Sequence, residues 1–206
     1  MRRRIRQHVN PLSINRLSTG VTAVTVPPGR ELEVELGCAD ADFLFGRAAR
    51  DPGRYYVGVD IRREMVRFVR EKAAKNGLAA CLTAVYANLL TELAVLFPPG
   101  SVTTCHINFP DPYFKPSQHK RRFITPELVR SLAGIIRPGG VLAFQTDVYD
   151  LALEALELIE VRDDIFVNVA GYFTFSRSHP FGTTSRRERK CEARGVWIWR
   201  LRYDRV

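Results

Sequence analysis

The sequence predicts a doubly wound α/β fold, in which helices cover both faces of a mostly parallel sheet. Segments with strand-like and helix-like patterns alternate along the chain, as parallel βαβ units require. Glycine and proline clusters separate these segments at short intervals. With 206 residues, the chain is long enough for one domain with a substantial core. We therefore divide it into a basic N-terminal arm at residues 1–30 and a single domain at residues 31–206.

The first half contains three predicted strands, each followed by a predicted helix. Residues 31–37 alternate in polarity and end on glycine, as a strand does before a turn. The helix predicted at 64–75 has apolar residues at helical spacing, and Asn76-Gly77 provides its C-cap. The other elements predicted here are strands at 55–60 and 79–86 and helices at 43–50 and 90–96.

The second half continues the alternation and then departs from it. Residues 101–109 are rich in β-branched side chains and predict a fourth strand. Thr125-Pro126-Glu127 combines an N-cap, a first-turn proline and an acid, so a helix begins there, and Arg137-Pro138-Gly139-Gly140 ends it. Residues 195–203 alternate in polarity, which predicts an antiparallel C-terminal strand with one wet face. Between them we predict a strand at 141–147 and a helix at 151–160.

The composition and charge of the chain limit the kinds of molecule that it is expected to bind. The chain has 31 basic and 22 acidic residues, a formal charge of +9. This excess favours a polyanion such as nucleic acid, although a merely basic surface explains it equally well. The four cysteines form no Cys-x-x-Cys pair and the histidines show no ligand spacing, so we expect no metal. We also expect no membrane span and no secretory signal, and the scattered thiols suit the cytoplasm.

Polar residues end several predicted strands, and such ends meet at one rim of a parallel sheet. Asp60 closes the second strand, where a carboxylate can accept hydrogen bonds from a ribose diol or can simply cap the next helix. Asn88 follows the third strand, and its amide suits an adenine edge or an ordinary turn. The loop after Gly37 has no second glycine and carries Asp40 and Asp42, which disfavours the pyrophosphate of a nicotinamide dinucleotide.

The stretch after the fourth strand carries the most information. Pro110 and Pro112 flank Asp111, which fixes the backbone and holds a carboxylate at the rim. A basic run follows that suits phosphate groups or forms a solvated charged face. Its members are Lys115, Lys120, Arg121 and Arg122.

Here the chain resembles the bacterial tRNA (guanine-N7-)-methyltransferases, over nearly its whole length. The long family motif, F-P-D-P-W followed by a lysine and a basic cluster, appears as FPDPYFKPSQHKRR. The family's E-x-G matches Glu35 and Gly37, and its G-[IV]-E-[IV]-R matches GVDIR at 58–62. Its T-D pair after the fifth strand matches Thr146-Asp147.

The resemblance implies a Rossmann-like sheet of the class I methyltransferase type and methyl transfer from S-adenosylmethionine to N7 of a guanine in tRNA. Asp111 would be the catalytic residue, with Lys115 and Asp147 on the tRNA or its guanine. The family's terminal T-x-[FY]-E, which touches substrate, corresponds best to Ser185 and Glu188. We expect a monomer or homodimer in the cytoplasm. The expected cofactor contacts are Glu35, Gly37, Asp60, Ile61, Arg62, Asn88 and Asp111.

Two departures from the family pattern matter. Ala39-Asp40-Ala41 replaces the usual glycine-containing stretch, and an alanine at positive φ costs roughly 1 kcal/mol. Asp40 and Asp42 would also repel the carboxylate of the cofactor, so we expect weaker cofactor binding. The terminal motif has lost its aromatic residue. Alternative interpretations are therefore a tRNA-binding relative that has lost catalysis and a methyltransferase acting on another RNA base.

Overall fold

A computed structural model describes residues 10–12, 20–113, 122–161, 164–178 and 180–206. Within them lie, in chain order, β1 (Leu32–Leu36), α1 (Asp42–Arg50), β2 (Tyr55–Asp60), α2 (Arg63–Lys75), β3 (Leu82–Tyr86), α3 (Leu93–Leu96), β4 (Val102–Asn108), α4 (Pro126–Ile135), β5 (Ile136–Thr146), α5 (Tyr149–Glu160), β6 (Phe166–Asn168), α6 (Arg186–Glu192) and β7 (Trp199–Arg205).

The seven strands form one sheet in the order β3-β2-β1-β4-β5-β7-β6. Strands β1 to β5 run parallel, and β7 runs antiparallel to both β5 and β6. The prediction of a doubly wound, mostly parallel sheet with an antiparallel C-terminal strand is confirmed. The carboxyl ends of the parallel strands therefore lie along one rim.

Several local predictions are confirmed and others need correction. Thr125 caps α4, since its hydroxyl accepts a hydrogen bond from the Leu128 backbone. Helix α4 ends before Arg137, as predicted. Residues 137–140 nevertheless belong to β5, which starts earlier than predicted and has a register irregularity against β4 at this Pro-Gly-Gly sequence. The last strand begins only at Trp199. The sequence pattern missed β6, which is three residues long, and α6, whose RRERKCE sequence has little apolar periodicity.

The two faces of the central strands differ in polarity. Val34 on β1 and Ile107 on β4 belong to the main apolar core, which α4 and α5 cover. Because side chains alternate along a strand, Glu33 and Glu35 lie on the opposite face. Three valines of the predicted arm, Val21, Val24 and Val26, also pack against the core. None of the helices in the described ranges is long and apolar enough to cross a membrane.

Candidate active site

The turn after β1 brings the backbone close to the end of β2. The backbone amides of Gly37 and Cys38 both donate to the Val59 carbonyl, at 2.8 and 3.0 Å. Gly58 permits this approach, because a Cβ there would lie 2.5 Å from the Cys38 sulfur. Ala39 and Ala41 both adopt left-handed backbone conformations, with φ of 50° and 51°. The predicted strain required a positive φ, and both alanines have one. Relative to glycine, alanine therefore costs about 1 kcal/mol at each position.

Asp60 lies at the end of β2 and is almost fully buried. Its Oδ2 accepts from the Ala39 backbone at 2.9 Å and from Arg62 Nη2 at 2.7 Å. Its Oδ1 accepts from the backbone and the Nε of Arg62, both at 2.8 Å. The carboxylate therefore ties the glycine turn to the start of α2, and a ribose diol would have to replace donors of the Arg62 guanidinium.

Glu35 is a buried polar group at this rim whose hydrogen bonding is incomplete among the described residues. Its Oε1 accepts from Asn108 Nδ2 at 2.8 Å, whereas its buried Oε2 has no hydrogen-bond partner among the described residues. Burial raises the pKa of Glu35 from its ordinary 4.5 to about 8, and the Asn108 hydrogen bond opposes this only in part. A cation brought to Oε2 would both complete its hydrogen bonding and favour the ionised form.

A buried polar chain continues from Glu35 toward the C-terminal part of the domain. Gln145 Nε2 donates to Asn108 Oδ1 at 3.0 Å and to Glu188 Oε2 at 3.1 Å. Arg200 Nη2 donates to Glu188 Oε1 at 2.9 Å. Sequence reasoning missed Asn108, Gln145 and Arg200, although a polar residue inside each of these strands was a visible signal.

The expected substrate residues Ser185 and Glu188 have a different visible role. They form a capping box at the start of α6, in which the Ser185 hydroxyl accepts from the Glu188 backbone and the Glu188 carboxylate accepts from the Ser185 backbone. Glu188 is fully buried. Its two oxygens bind Ser185, Gln145 and Arg200, so Glu188 holds the start of α6 against β5 and β7.

Three arginines of α6 pair with acids at the rim. Arg186 pairs with Asp40 at 2.8 Å, and Arg189 pairs with Asp42 at 2.6 Å. Arg187 pairs with Asp147, the acid expected to contact substrate. Each arginine is more than half exposed, so each pair alone is weak. Together they oppose the repulsion that we expected Asp40 and Asp42 to exert on the cofactor.

Asn88 is buried, and both ends of its amide are engaged. Its Oδ1 accepts from the Leu90 backbone at 3.1 Å, which is the ordinary turn role. Its Nδ2 donates at 2.9 Å to the carbonyl of Pro11, in the predicted arm. An adenine edge would therefore have to take the place of this backbone carbonyl.

The segment around Asp111 is conformationally strained. Phe109 and Tyr113 have positive φ values of 50° and 43°, which are costly for aromatic residues. The Phe109 backbone donates to the Gln145 carbonyl at 2.7 Å and so ties the segment to β5. Asp111 is partly buried. The pKa of Arg62 is raised chiefly by its hydrogen bond to Asp60, and the charge of Asp111 raises it further. Asp111 and Asp60 thus lie near the same guanidinium.

The basic run is described only at its end. Lys115, Lys120 and Arg121 lie outside the described residues. Arg122 Nη1 donates to Glu154 Oε2 on α5 at 2.7 Å, and its side chain is only 18% exposed. A phosphate would have to compete with this carboxylate. No cluster of three or more potential metal ligands is found in the described ranges.

A sheet of this topology, with a glycine turn after β1 and acids ending β1 and β2, defines the fold of class I S-adenosylmethionine-dependent methyltransferases. The domain superposes with a TM-score of 0.57 on a geranyl diphosphate methyltransferase solved in complex with SAM, at 16% identity over 86% of this chain and 79% of that one.

The sequence also matches the family described as putative methyltransferase over residues 30–201. It is 38% identical to the tRNA (guanine-N(7)-)-methyltransferase of Anaeromyxobacter dehalogenans over 84% of this chain and 85% of that protein. It is 31% identical to the enzyme of the same name from Synechococcus sp. strain JA-3-3Ab, over 98% of this chain and 86% of that protein. The chain belongs to the tRNA (guanine-N(7)-)-methyltransferase family.

Proposed function

We propose that this chain transfers the methyl group of S-adenosylmethionine to N7 of a guanine in tRNA. One observation carries the proposal: among the described residues, the buried Glu35 carboxylate has one oxygen without a hydrogen-bond partner, at the rim where the strained Asp111 segment also lies. A site built for a cationic ligand next to a rigid carboxylate suits this chemistry. Membership in the family supplies the choice of base and of nucleic acid.

The residues at the rim fit the cofactor. Glu35 Oε2 would pair with the ammonium group of its methionine moiety, and Asp60 would accept from its ribose, with Gly37, Ile61 and Arg62 around them. Asn88 would bind the adenine edge. When bound, the cofactor supplies a sulfonium methyl that is already electrophilic. Because this methyl needs no further activation, we propose that the reaction proceeds without a metal.

Asp111 would act on the guanine and not on the methyl group. Guanine N7 carries an in-plane lone pair and needs no deprotonation, so the protein mainly has to align the reactants. The product ring is cationic, and a nearby carboxylate stabilises that charge as it develops. Asp111 can also accept from the guanine N1–H and exocyclic amine, with Asp147 and Lys115 as helpers.

The nucleic acid must present this base in an exposed position, since a stacked guanine cannot enter such a rim. Phosphate contacts from Lys120, Arg121 and Arg122 would hold the tRNA and fix its register. We propose that the enzyme acts in the cytoplasm as a monomer or homodimer.

The decisive experiment compares Asp111→Ala with Asp150→Ala, a change of an exposed carboxylate at the start of α5. Labelled methyl transfer to unmodified tRNA is followed by mapping of N7-methylguanine through reduction and aniline cleavage. We expect Asp111→Ala to abolish transfer while thermal unfolding stays near that of the parent, and Asp150→Ala to transfer normally. Near-normal turnover in Asp111→Ala would remove that residue from the mechanism. Absence of a thermal shift with saturating cofactor in the parent would favour a non-catalytic tRNA-binding protein.

A further inference from the structure

Four aromatic rings meet where β7 begins, and we call them the aromatic platform. Trp199 lies at the centre, with ring centroids 4.6 Å from Tyr149, 5.0 Å from Phe175 and 5.9 Å from Trp197. The rings are tilted at 45° to 58° to one another. None of them belongs to the residues assigned to cofactor or guanine above.

The platform exposes its rings to solvent. Trp197 is 71% exposed and Tyr149 is 48% exposed. Contiguous exposed apolar surface of this kind marks an interaction site more often than a chance arrangement. The backbone around Trp197 is nonetheless anchored, because the Val196 amide donates to the Cys191 carbonyl at 2.9 Å and Ile198 is buried.

The position of the platform links it to the candidate active site. Trp199 pairs with Thr146 in the sheet, and Asp147 follows Thr146 at the rim. Asp147 in turn pairs with Arg187 on α6. The rings therefore lie beside the acid that we propose as a helper in the reaction.

The segment that leads into Trp197 is basic in sequence, but its charges are largely engaged elsewhere. Residues 186–194 contain five basic residues and two acids. Arg186, Arg187 and Arg189 pair with acids at the rim. The platform therefore offers ring faces more than charge, and exposed aromatic faces recognise unpaired nucleotides by stacking their bases.

We propose that the aromatic platform stacks an unpaired base of the tRNA that neighbours the target guanine. This inference rests on the proposed function for the identity of the RNA. Trp197 provides the open ring face, and Trp199 holds it in place through its contacts with the other two rings. The RNA is favoured over a protein partner because the platform adjoins the rim that the target guanine has to reach in the proposed function.

The chain provides its own reporter, since its two tryptophans are Trp197 and Trp199. Intrinsic fluorescence is titrated with unmodified tRNA and, separately, with inorganic polyphosphate. We expect tRNA to quench the emission and polyphosphate to leave it nearly unchanged. Trp197→Ala should weaken tRNA binding about tenfold and remove most of the quenching, with Trp197→Phe restoring most of the affinity.

Salt dependence separates stacking from charge. Because Trp197 contacts no phosphate in this proposal, Trp197→Ala should shift the plot of log affinity against log salt downward without changing its slope. Val161→Ala, which alters a 73% exposed apolar residue at the end of α5, is the matched control and should leave affinity and quenching unchanged.

Three outcomes would contradict the proposal that the platform stacks a tRNA base. They are a tRNA affinity of Trp197→Ala equal to that of the parent, quenching by polyphosphate equal to that by tRNA, and self-association of the parent that Trp197→Ala abolishes. Labelled methyl transfer is measured in the same samples. If the parent methylates tRNA but its fluorescence does not change, the platform proposal is wrong and the proposed function still holds. If tRNA quenches the fluorescence but no methyl group is transferred, the proposed function is wrong and base stacking on the platform still holds.

Discussion

Two glutamates on β1 share a face of the sheet and experience opposite electrostatics. Glu33 accepts from Arg47 Nε and Nη2 at 2.7 and 2.9 Å, and His106 Nε2 lies 2.9 Å from the same carboxylate. Glu35, at the rim end of the strand, accepts only from the neutral amide of Asn108 among the described residues. Both side chains are buried.

Burial raises the pKa of both carboxylates, and the partners available to each account for the difference between them. Burial alone would raise the pKa of Glu33, but hydrogen bonds from Arg47 and His106 outweigh it and lower the pKa from 4.5 to about 2. At Glu35 burial prevails, and the pKa rises to about 8. The fold supplies a counter-ion for Glu33, whereas we propose that a ligand supplies one for Glu35.

The largest expected effect of this contrast is on stability. Glu33→Gln should lower the free energy of unfolding by about 3–5 kcal/mol, because it leaves the Arg47 guanidinium largely buried without its counter-ion. Glu35→Gln should not lower the free energy of unfolding, since no charged partner of Glu35 is found among the described residues and burial opposes the ionisation of this carboxyl group. Urea denaturation of the two variants measures the difference. Equal losses would mean that both carboxylates serve the fold alike.

The free energy of unfolding, plotted against pH, should show two limbs with opposite slopes. The pKa of Glu33 lies below its unfolded value, so its contribution is present above pH 4.5 and lost as the pH falls toward about 2. The pKa of Glu35 lies above its unfolded value, so stability decreases as the pH rises from 4.5 to about 8. Each unit of pKa shift corresponds to about 1.4 kcal/mol, so each limb amounts to a few kcal/mol. Unfolding free energies measured across this range should show that Glu35→Gln removes only the upper limb. A variant that kept that limb would show that another group titrates there.

Of the two glutamates, only Glu35 is expected to contribute to cofactor affinity. Glu35→Gln removes the charge that we propose for the methionine ammonium, and a hydrogen bond to a charged group contributes about 2 kcal/mol. Isothermal titration with S-adenosylmethionine should therefore show a loss of more than tenfold. The control is Glu31→Gln, an exposed carboxylate preceding β1 that should bind as the parent does. Unchanged affinity in Glu35→Gln would leave its open oxygen without a ligand.

The smallest expected effect concerns the turn beyond Glu35. Ala39→Gly relieves a positive φ and should stabilise the protein by up to about 1 kcal/mol, with a modest gain in cofactor affinity. At Ala41, which is fully buried, the lost methyl contacts offset part of the same gain. Thermal unfolding with and without cofactor measures both. A destabilised Ala39→Gly would show that its backbone is held without strain.

Local patterns in the sequence predicted the alternation of elements, the Thr125 cap and the rim position of Glu35, Asp60 and Asp111. They did not predict the buried chain from Asn108 through Gln145, because a polar residue in a strand can face solvent, a partner or a ligand. Its partners come from distant segments, and pairings over such separations leave no local periodicity. The pairing of Asp40 with Arg186 was equally invisible in the sequence, and it opposes the repulsion of the cofactor that we expected from Asp40.

The ion pairs of α6 bear on how this domain could be divided. Asp42, the first residue of α1 after the glycine turn, pairs with Arg189, 147 residues further along the chain. A fragment that contained the first four strands but lacked α6 would keep the glycine turn yet lose the cations that pair with Asp40 and Asp42. Recombination with related domains should therefore keep these ion pairs only when both segments come from the same parent.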